Sequence, residues 1–377
     1  MPPVKVLVVD DSALMRRLIS RSLGSHPDIM VQDTAVDGND ALAKIKELRP
    51  DVVTLDVEMP GLDGLAALRR IMRECPLPVI MFSTLTAQGT RATIEALSAG
   101  ALDFVTKPSS PARLNPMFEE LADKIRVAAT VPPSRFARRL LGRPRPPGPV
   151  PGGGPAALTA TTGQPVASAA EQSAKVSPAV VRRSAGRARI VVIGCSTGGP
   201  AALQQVVPAL PGELPVPVVI VQHIPEGFSK PLAEHLDRKS PLEVRHAQSG
   251  DPVVPGRVLV APAGFEFSFR GSAENAVVTL SRGRGPVPRG GFRPSVDAVM
   301  TATARLYGDG AVGVLMTGMG RDGEQGMLEI KRHNGRTIAE AESTCVVYGM
   351  PRAAIEAGAA DKVAPLPQIV REIIGII

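Results

Sequence analysis

Cysteine is scarce in this 377-residue chain: Cys75, Cys195 and Cys345 are scattered, which excludes a disulfide framework and a cysteine metal site. Their expected role is that of small buried hydrophobes. No run of eighteen apolar residues occurs, which argues against direct membrane insertion, and the opening MPPVKVLVVDD lacks a signal-peptide pattern. The expectation is a cytoplasmic protein. No helix-turn-helix pattern with a basic recognition helix is present, so a DNA-binding output has no support. The formal charge of +7 needs to be placed before it is read as nucleic-acid affinity. Nine Lys or Arg residues and a single acid, Glu171, lie between Val131 and Ala188, so the remainder is close to neutral. That basic tract also lacks interleaved aromatics beyond Phe136, which disfavours an RNA- or membrane-binding tail and leads to the expectation of no nucleic-acid partner.

What is present is a stretch around which the chain is organised, IVVIGCSTGGP, Ile190 to Pro200. The β-branched run has the character of a buried parallel strand, and Pro200 falls early in a following helical pattern. Gly194, Cys195, Ser196, Thr197 and Gly198 read G-x-S-x-G, a strand-to-helix turn that projects the serine above a sheet. Backbone N–H groups at the coming helix start could hold an oxyanion or a phosphate. The pattern alone fits either a nucleophile or a glycine-rich phosphate loop in which Ser196 only hydrogen-bonds, and Cys195 is a rival nucleophile.

Before this stretch, strands alternate with helices: 4–10, 29–35, 52–56, 79–83 and 102–106 read as strands, with helices over 38–48, 64–73, 88–99 and 111–127. Ser12 caps a further helix after the first strand. Such alternation predicts a doubly wound, flavodoxin-like α/β domain with its site beyond the C-terminal strand ends. Asp10 and Asp11 follow the first strand and Asp56 the third, a gathering of carboxylates that calls for a hard cation such as Mg2+. Ser83 ends the fourth strand, Lys107 follows the fifth, and both reach the same crevice.

The segments VLVVDDS, TLDVEMPGLDG, MFST and FVTKP resemble a response-regulator receiver domain over residues 1–128. The resemblance implies Asp56 as phosphoacceptor, and Mg2+ held by Asp11, Asp56 and the backbone carbonyl of Glu58, with Asp10 supporting its water shell. It further implies Ser83 and Lys107 as phosphoryl contacts, Phe104 as the aromatic switch, and a histidine kinase as phosphodonor. Residues 129–188, rich in Pro, Gly, Ala and Arg, read as a disordered or extended linker.

A second α/β pattern occupies 189–377, expected to be a parallel sheet with an antiparallel region formed by LEVRH, RVLVAP, FEFSF and AVVTLS. Its strand ends carry Ser196, His223 and Asp322. A serine hydroxyl needs a base, imidazole serves near neutral pH, and a carboxylate fixes its tautomer. Asp322 alone could simply cap the helix starting near Gly323. The order Ser, His, Asp excludes the α/β-hydrolase fold, which runs Ser, acid, His.

IGCSTGGP, QHIPEGF, FRPSVD, TGMGRDG and TCVVYGMP resemble, in order, the catalytic domain of the chemotaxis protein-glutamate methylesterase (CheB) family. The resemblance implies a triad of Ser196, His223 and Asp322, an oxyanion region lined by the backbone at Thr197 and Met319, and no cofactor for the hydrolase. It implies methyl-accepting chemoreceptors as substrates, deamidation of glutamine as a second activity, and a receiver that covers the site until phosphorylated. A non-enzymatic output binding nucleotide at GCSTGG is the rival, and it leaves His223 and Asp322 without a role.

Overall fold

The computed structural model describes residues 2–108, 110, 114–131, 189–283 and 291–377. The expected linker conformation lies almost entirely outside these residues.

The first sheet is built from β1 (Val4–Val9), β2 (Ile29–Ala35), β3 (Val52–Asp56), β4 (Val79–Ser83) and β5 (Asp103–Thr106). Five helices connect and flank them: α1 (Ala13–Leu23), α2 (Gly38–Leu48), α3 (Gly64–Glu74), α4 (Ala87–Ala99) and α5 (Leu114–Ala129). Strand order is β2-β1-β3-β4-β5 and the pairings are parallel, the doubly wound arrangement the alternation predicts. β3 and β4 are buried throughout because helices cover both faces, which explains their near-continuous apolar sequence. Helix starts are set by side chains: Ser12, Asp37, Asp63 and Thr86 each accept from backbone N–H groups of the helix they precede.

The second sheet has seven strands in the order β14-β13-β12-β6-β7-β9-β8. In chain order its elements are β6 (Ile190–Cys195), α6 (Gly199–Val206), β7 (Val218–Gln222), α7 (Ser229–Asp237), β8 (Glu243–His246) and β9 (Arg257–Val260). The hairpin β10 (Glu266–Arg270) and β11 (Val277–Ser281) forms a separate antiparallel pair. Then come α8 (Val296–Tyr307), β12 (Ala311–Leu315), α9 (Glu324–Arg332), β13 (Arg336–Glu340), α10 (Met350–Glu356), β14 (Lys362–Ala364) and α11 (Leu366–Ile374).

One expectation needs correcting here. LEVRH and RVLVAP are not part of an antiparallel region: β8 and β9 pair parallel to each other, and β9 pairs parallel to β7. The connection over 247–256 is too long for a tight hairpin and carries the chain back along the sheet, so β9 enters in the same direction as β8. Only FEFSF and AVVTLS form the antiparallel pair.

β6 lies between β12 and β7, with Val191 registered against both Val312 and Val218. All six of its residues are buried, and the C-terminal ends of the three strands therefore fall side by side. Among the described residues, no helix is long and apolar enough to cross a membrane.

Candidate active site

Ser196 follows β6, where its backbone N–H donates to Thr317 O (3.0 Å) and its carbonyl accepts from Gly199 N (2.8 Å). This pins the turn at both ends. Gly198 adopts φ 80°, and a Cβ there would meet Val346 Cβ at 2.6 Å, so only glycine lets the chain turn so close to its neighbour. A Cβ on Gly318 would lie 2.8 Å from Ser196 Cβ, which shows how tightly the 317–319 turn presses against the serine. The N–H groups of Thr197 and Met319 donate to no other group among the described residues. Ser196 itself is 7% exposed and Met319 is half-exposed.

His223 follows β7, with its backbone N–H on Cys195 O (2.9 Å). Its Nε2 lies 2.8 Å from Asp322 Oδ2, and its other ring nitrogen, Nδ1, is buried and has no hydrogen-bond partner among the described residues. Because the carboxylate can only accept, Nε2 carries a proton, which in the neutral imidazole leaves the lone pair on Nδ1. The imidazole side chain is 1% exposed, and one of its faces is covered by the Phe292 ring.

Asp322 sits beyond β12, and the helix it caps is not the one beginning near Gly323. Its carboxylate accepts from Val296 N (2.8 Å), Asp297 N (2.9 Å) and Ser295 Oγ (2.8 Å) at the start of α8. Burial by itself would raise its pKa; the His223 hydrogen bond and these N–H donors overcome that and hold it below the usual carboxylate range. Asp297 in turn accepts from Gly323 N (2.9 Å) and Gly326 N (2.7 Å), tying the Asp322 loop to α8. Burial, reinforced by the Asp322 charge, pushes the Asp297 carboxyl up to about 6.

The structure brings Ser196, His223 and Asp322 to adjacent strand ends. Sequence reasoning missed the residues that hold them. Gln222 donates to Ser196 O (2.9 Å) and His223 O (2.8 Å) and accepts from Cys195 Sγ (3.1 Å), and nothing in its sequence setting distinguishes it. Ser295 carries the ordinary signal of an N-cap, and its second bond to Asp322 depends on the fold. Cys195 is fully buried, and burial first, then the Glu340 charge, raises its thiol pKa far above the usual range. That is unsuited to a nucleophile.

On the first sheet, Asp10, Asp11 and Asp56 bring carboxylate oxygens within 4.8 Å of one another. Lys107 Nζ lies 2.6 Å from Asp56 Oδ2 and 3.0 Å from Asp10 Oδ2. Burial, partly offset by Lys107, pushes Asp56 up to about 6. A cluster of hard oxygen donors under this electrostatic stress fits Mg2+. Glu58 N–H donates to Asp56 Oδ1 (3.3 Å), and Ser83 Oγ is bonded to Gly89 O (3.2 Å). Phe104, predicted to lie within the crevice's switch, is buried against the second sheet's domain: its ring is 4.4 Å from that of Phe228. Next to it, Asp103 Oδ2 accepts from Thr197 Oγ1 at 2.6 Å, and Ser98 Oγ is 3.1 Å from His235 Nε2.

A doubly wound sheet with an acidic crevice, whose domain meets a second one carrying a Ser-His-Asp arrangement, defines a response regulator whose output is a hydrolase. The CheB methylesterase model matches residues 191–373, and the response regulator receiver domain model matches 6–119. A Symbiobacterium thermophilum protein described as protein-glutamate methylesterase/protein-glutamine glutaminase is 43% identical, covering 97% of this chain and 95% of its own. A Pyrococcus horikoshii protein of the same description is 41% identical over 97% of this chain and 91% of its own. The crystal structure of the Thermotoga maritima CheB methylesterase catalytic domain is 40% identical and covers 50% of this chain and 99% of that one, with a TM-score of 0.48. The chain belongs to the CheB methylesterase family.

Proposed function

We propose that Ser196, His223 and Asp322 hydrolyse glutamate γ-methyl esters on chemoreceptors, releasing methanol, under control of phosphorylation at Asp56. The observation that carries this is the ordered imidazole: Nε2 is committed to Asp322, Nδ1 is buried and unpartnered among the described residues, and the His223 backbone N–H is bonded to Cys195 O, one residue before the serine. His223 Nδ1 takes the Ser196 Oγ proton as the oxygen bonds to the ester carbon. Asp322 stabilises the imidazolium so formed. The Thr197 and Met319 N–H groups are free to receive the tetrahedral oxyanion, at about 3 kcal/mol per donor. Collapse of the intermediate expels methoxide, which takes its proton from His223. Water, deprotonated by the same nitrogen, then releases glutamate from the acyl-enzyme. A primary amide follows the same course, so the enzyme also acts as a glutaminase, more slowly because ammonia is the poorer leaving group.

In the receiver, Asp11, Asp56 and the Glu58 carbonyl would hold Mg2+, with Asp10 supporting its water shell. The bound ion supplies charge balance for an incoming phosphoryl group. The Asp56 carboxylate attacks the phosphohistidine of a chemotaxis histidine kinase, and Lys107 and Ser83 contact the transferred group. Phe104 against Phe228 and Asp103 on Thr197 support gating by the domain contact, since both lie beside the receiver switch. The cytoplasm, which holds the kinase, is the site of action, and the linker 129–188 joins the two domains.

The test is methanol release from methylated receptor membranes, with and without acetyl phosphate and Mg2+. The phosphodonor stimulates the wild type, Asp56→Asn loses the stimulation, and Ser196→Ala falls by about six orders of magnitude in kcat. Release that survives Ser196→Ala rejects the mechanism.

A further inference from the structure

We propose that Phe292 is a positioning residue for the base, holding the His223 ring in plane and keeping water from its free nitrogen; this rests on the hydrolase reading above. The two rings stack with centroids 4.0 Å apart and planes within 7°. An imidazole makes its hydrogen bonds at its edge, in the ring plane, through both nitrogens. A group that orients the ring without competing for those bonds must therefore cover a face, and the phenyl ring does so. The Asp322 bond fixes one edge only, and rotation about the soft terminal torsion of a histidine would change the direction in which Nδ1 points. Face-to-face contact blocks that rotation.

Phe292 is itself 44% exposed, whereas the imidazole beneath it is 1% exposed. The phenyl ring thus stands between solvent and the base. Its removal opens one face of the imidazole to water and leaves the ring free to tilt, and a tilted ring presents the edge at Nδ1 to solvent. When the imidazolium forms during acylation, the negative face of the phenyl ring also lies against the cation. Phe292 also lines a cavity of about 440 Å3 shared with Ser295, Arg321, Asp322 and Gln325, so a substrate contact there is the competing role.

The two roles separate kinetically. Methanol release is measured on the full chain with acetyl phosphate and Mg2+, at varied concentration of methylated receptor membranes. Phe292→Ala is expected to lower kcat by about tenfold or more with KM changed less than about twofold, and Phe292→Tyr to restore kcat. A loss carried by KM would make Phe292 a substrate contact, and an unchanged kcat would remove its role altogether; either overturns the proposal. Wild-type protein without release would instead reject the hydrolase reading itself. A second readout needs no turnover: in protein labelled at histidine, the His223 ring C–H resonances, assigned with His223→Gln, are expected upfield from the phenyl ring current and to move downfield in Phe292→Ala. Resonances that stay in place overturn the stacking.

Discussion

The carboxylate of Asp322 is the residue on which the polarity of the site depends. It accepts three hydrogen bonds from the start of α8 and a fourth from His223, so it remains ionised and, in the proposed mechanism, cannot take the proton that His223 acquires. Asp322→Asn keeps the shape but places an amide where only an acceptor serves, reversing the imidazole tautomer. We expect kcat for methanol release to fall by about four orders of magnitude with the fold unchanged by circular dichroism. At this scale the sequence was informative about where polar residues fall and silent about what supports them. Ser196, His223 and Asp322 stand at strand ends next to glycine turns, a pattern that can be read directly. Gln222 and Phe292 are an ordinary strand terminus and an ordinary loop aromatic until the fold sets them beside His223.

Among the elements, α4, α6 and α7 meet where the two sheets' helical layers join, and His235 of α7 sits in that seam. Its Nε2 lies 3.1 Å from both Ser98 Oγ and Gln204 Oε1. Burial, with the charges of Lys239 and Arg238 adding to it, pushes the His235 pKa down to about 4. The unfolded chain binds this proton near pH 6.5 and the folded one only near 4, so stability is undiminished above pH 6.5 and declines as pH falls through that window. Between pH 7 and 5 the loss should be about 1–2 kcal/mol, read from urea midpoints, and His235→Gln should remove most of it. The alternation of strands and helices was legible because buried parallel strands are nearly continuous in apolar residues. The direction of β8 and β9 was not: strands of four residues carry too little pattern to separate parallel from antiparallel pairing, and the 247–256 connection decides it. The seam was invisible too, since Ser98 and His235 are 137 positions apart.

For the whole molecule, the contact between Asp103 and Thr197 joins the receiver's last strand to the serine turn at 2.6 Å. A hydrogen bond to a charged acceptor is worth roughly 1.5–3 kcal/mol, enough to shift a docked-to-open balance by about ten- to a hundredfold. Asp103→Asn should therefore raise the unstimulated rate of methanol release by about that factor and reduce the stimulation by acetyl phosphate correspondingly. A lower unstimulated rate would mean that the receiver supports the site and does not restrain it. The same hydrogen bond has a consequence in the opposite direction. Coupling between two sites is reciprocal: if phosphorylation at Asp56 frees the turn for a receptor glutamate, a receptor glutamate seated at the turn must favour the phosphorylated receiver by an equal factor. The receptor is then an effector as well as a substrate, and a membrane crowded with methyl esters keeps the enzyme that removes them switched on.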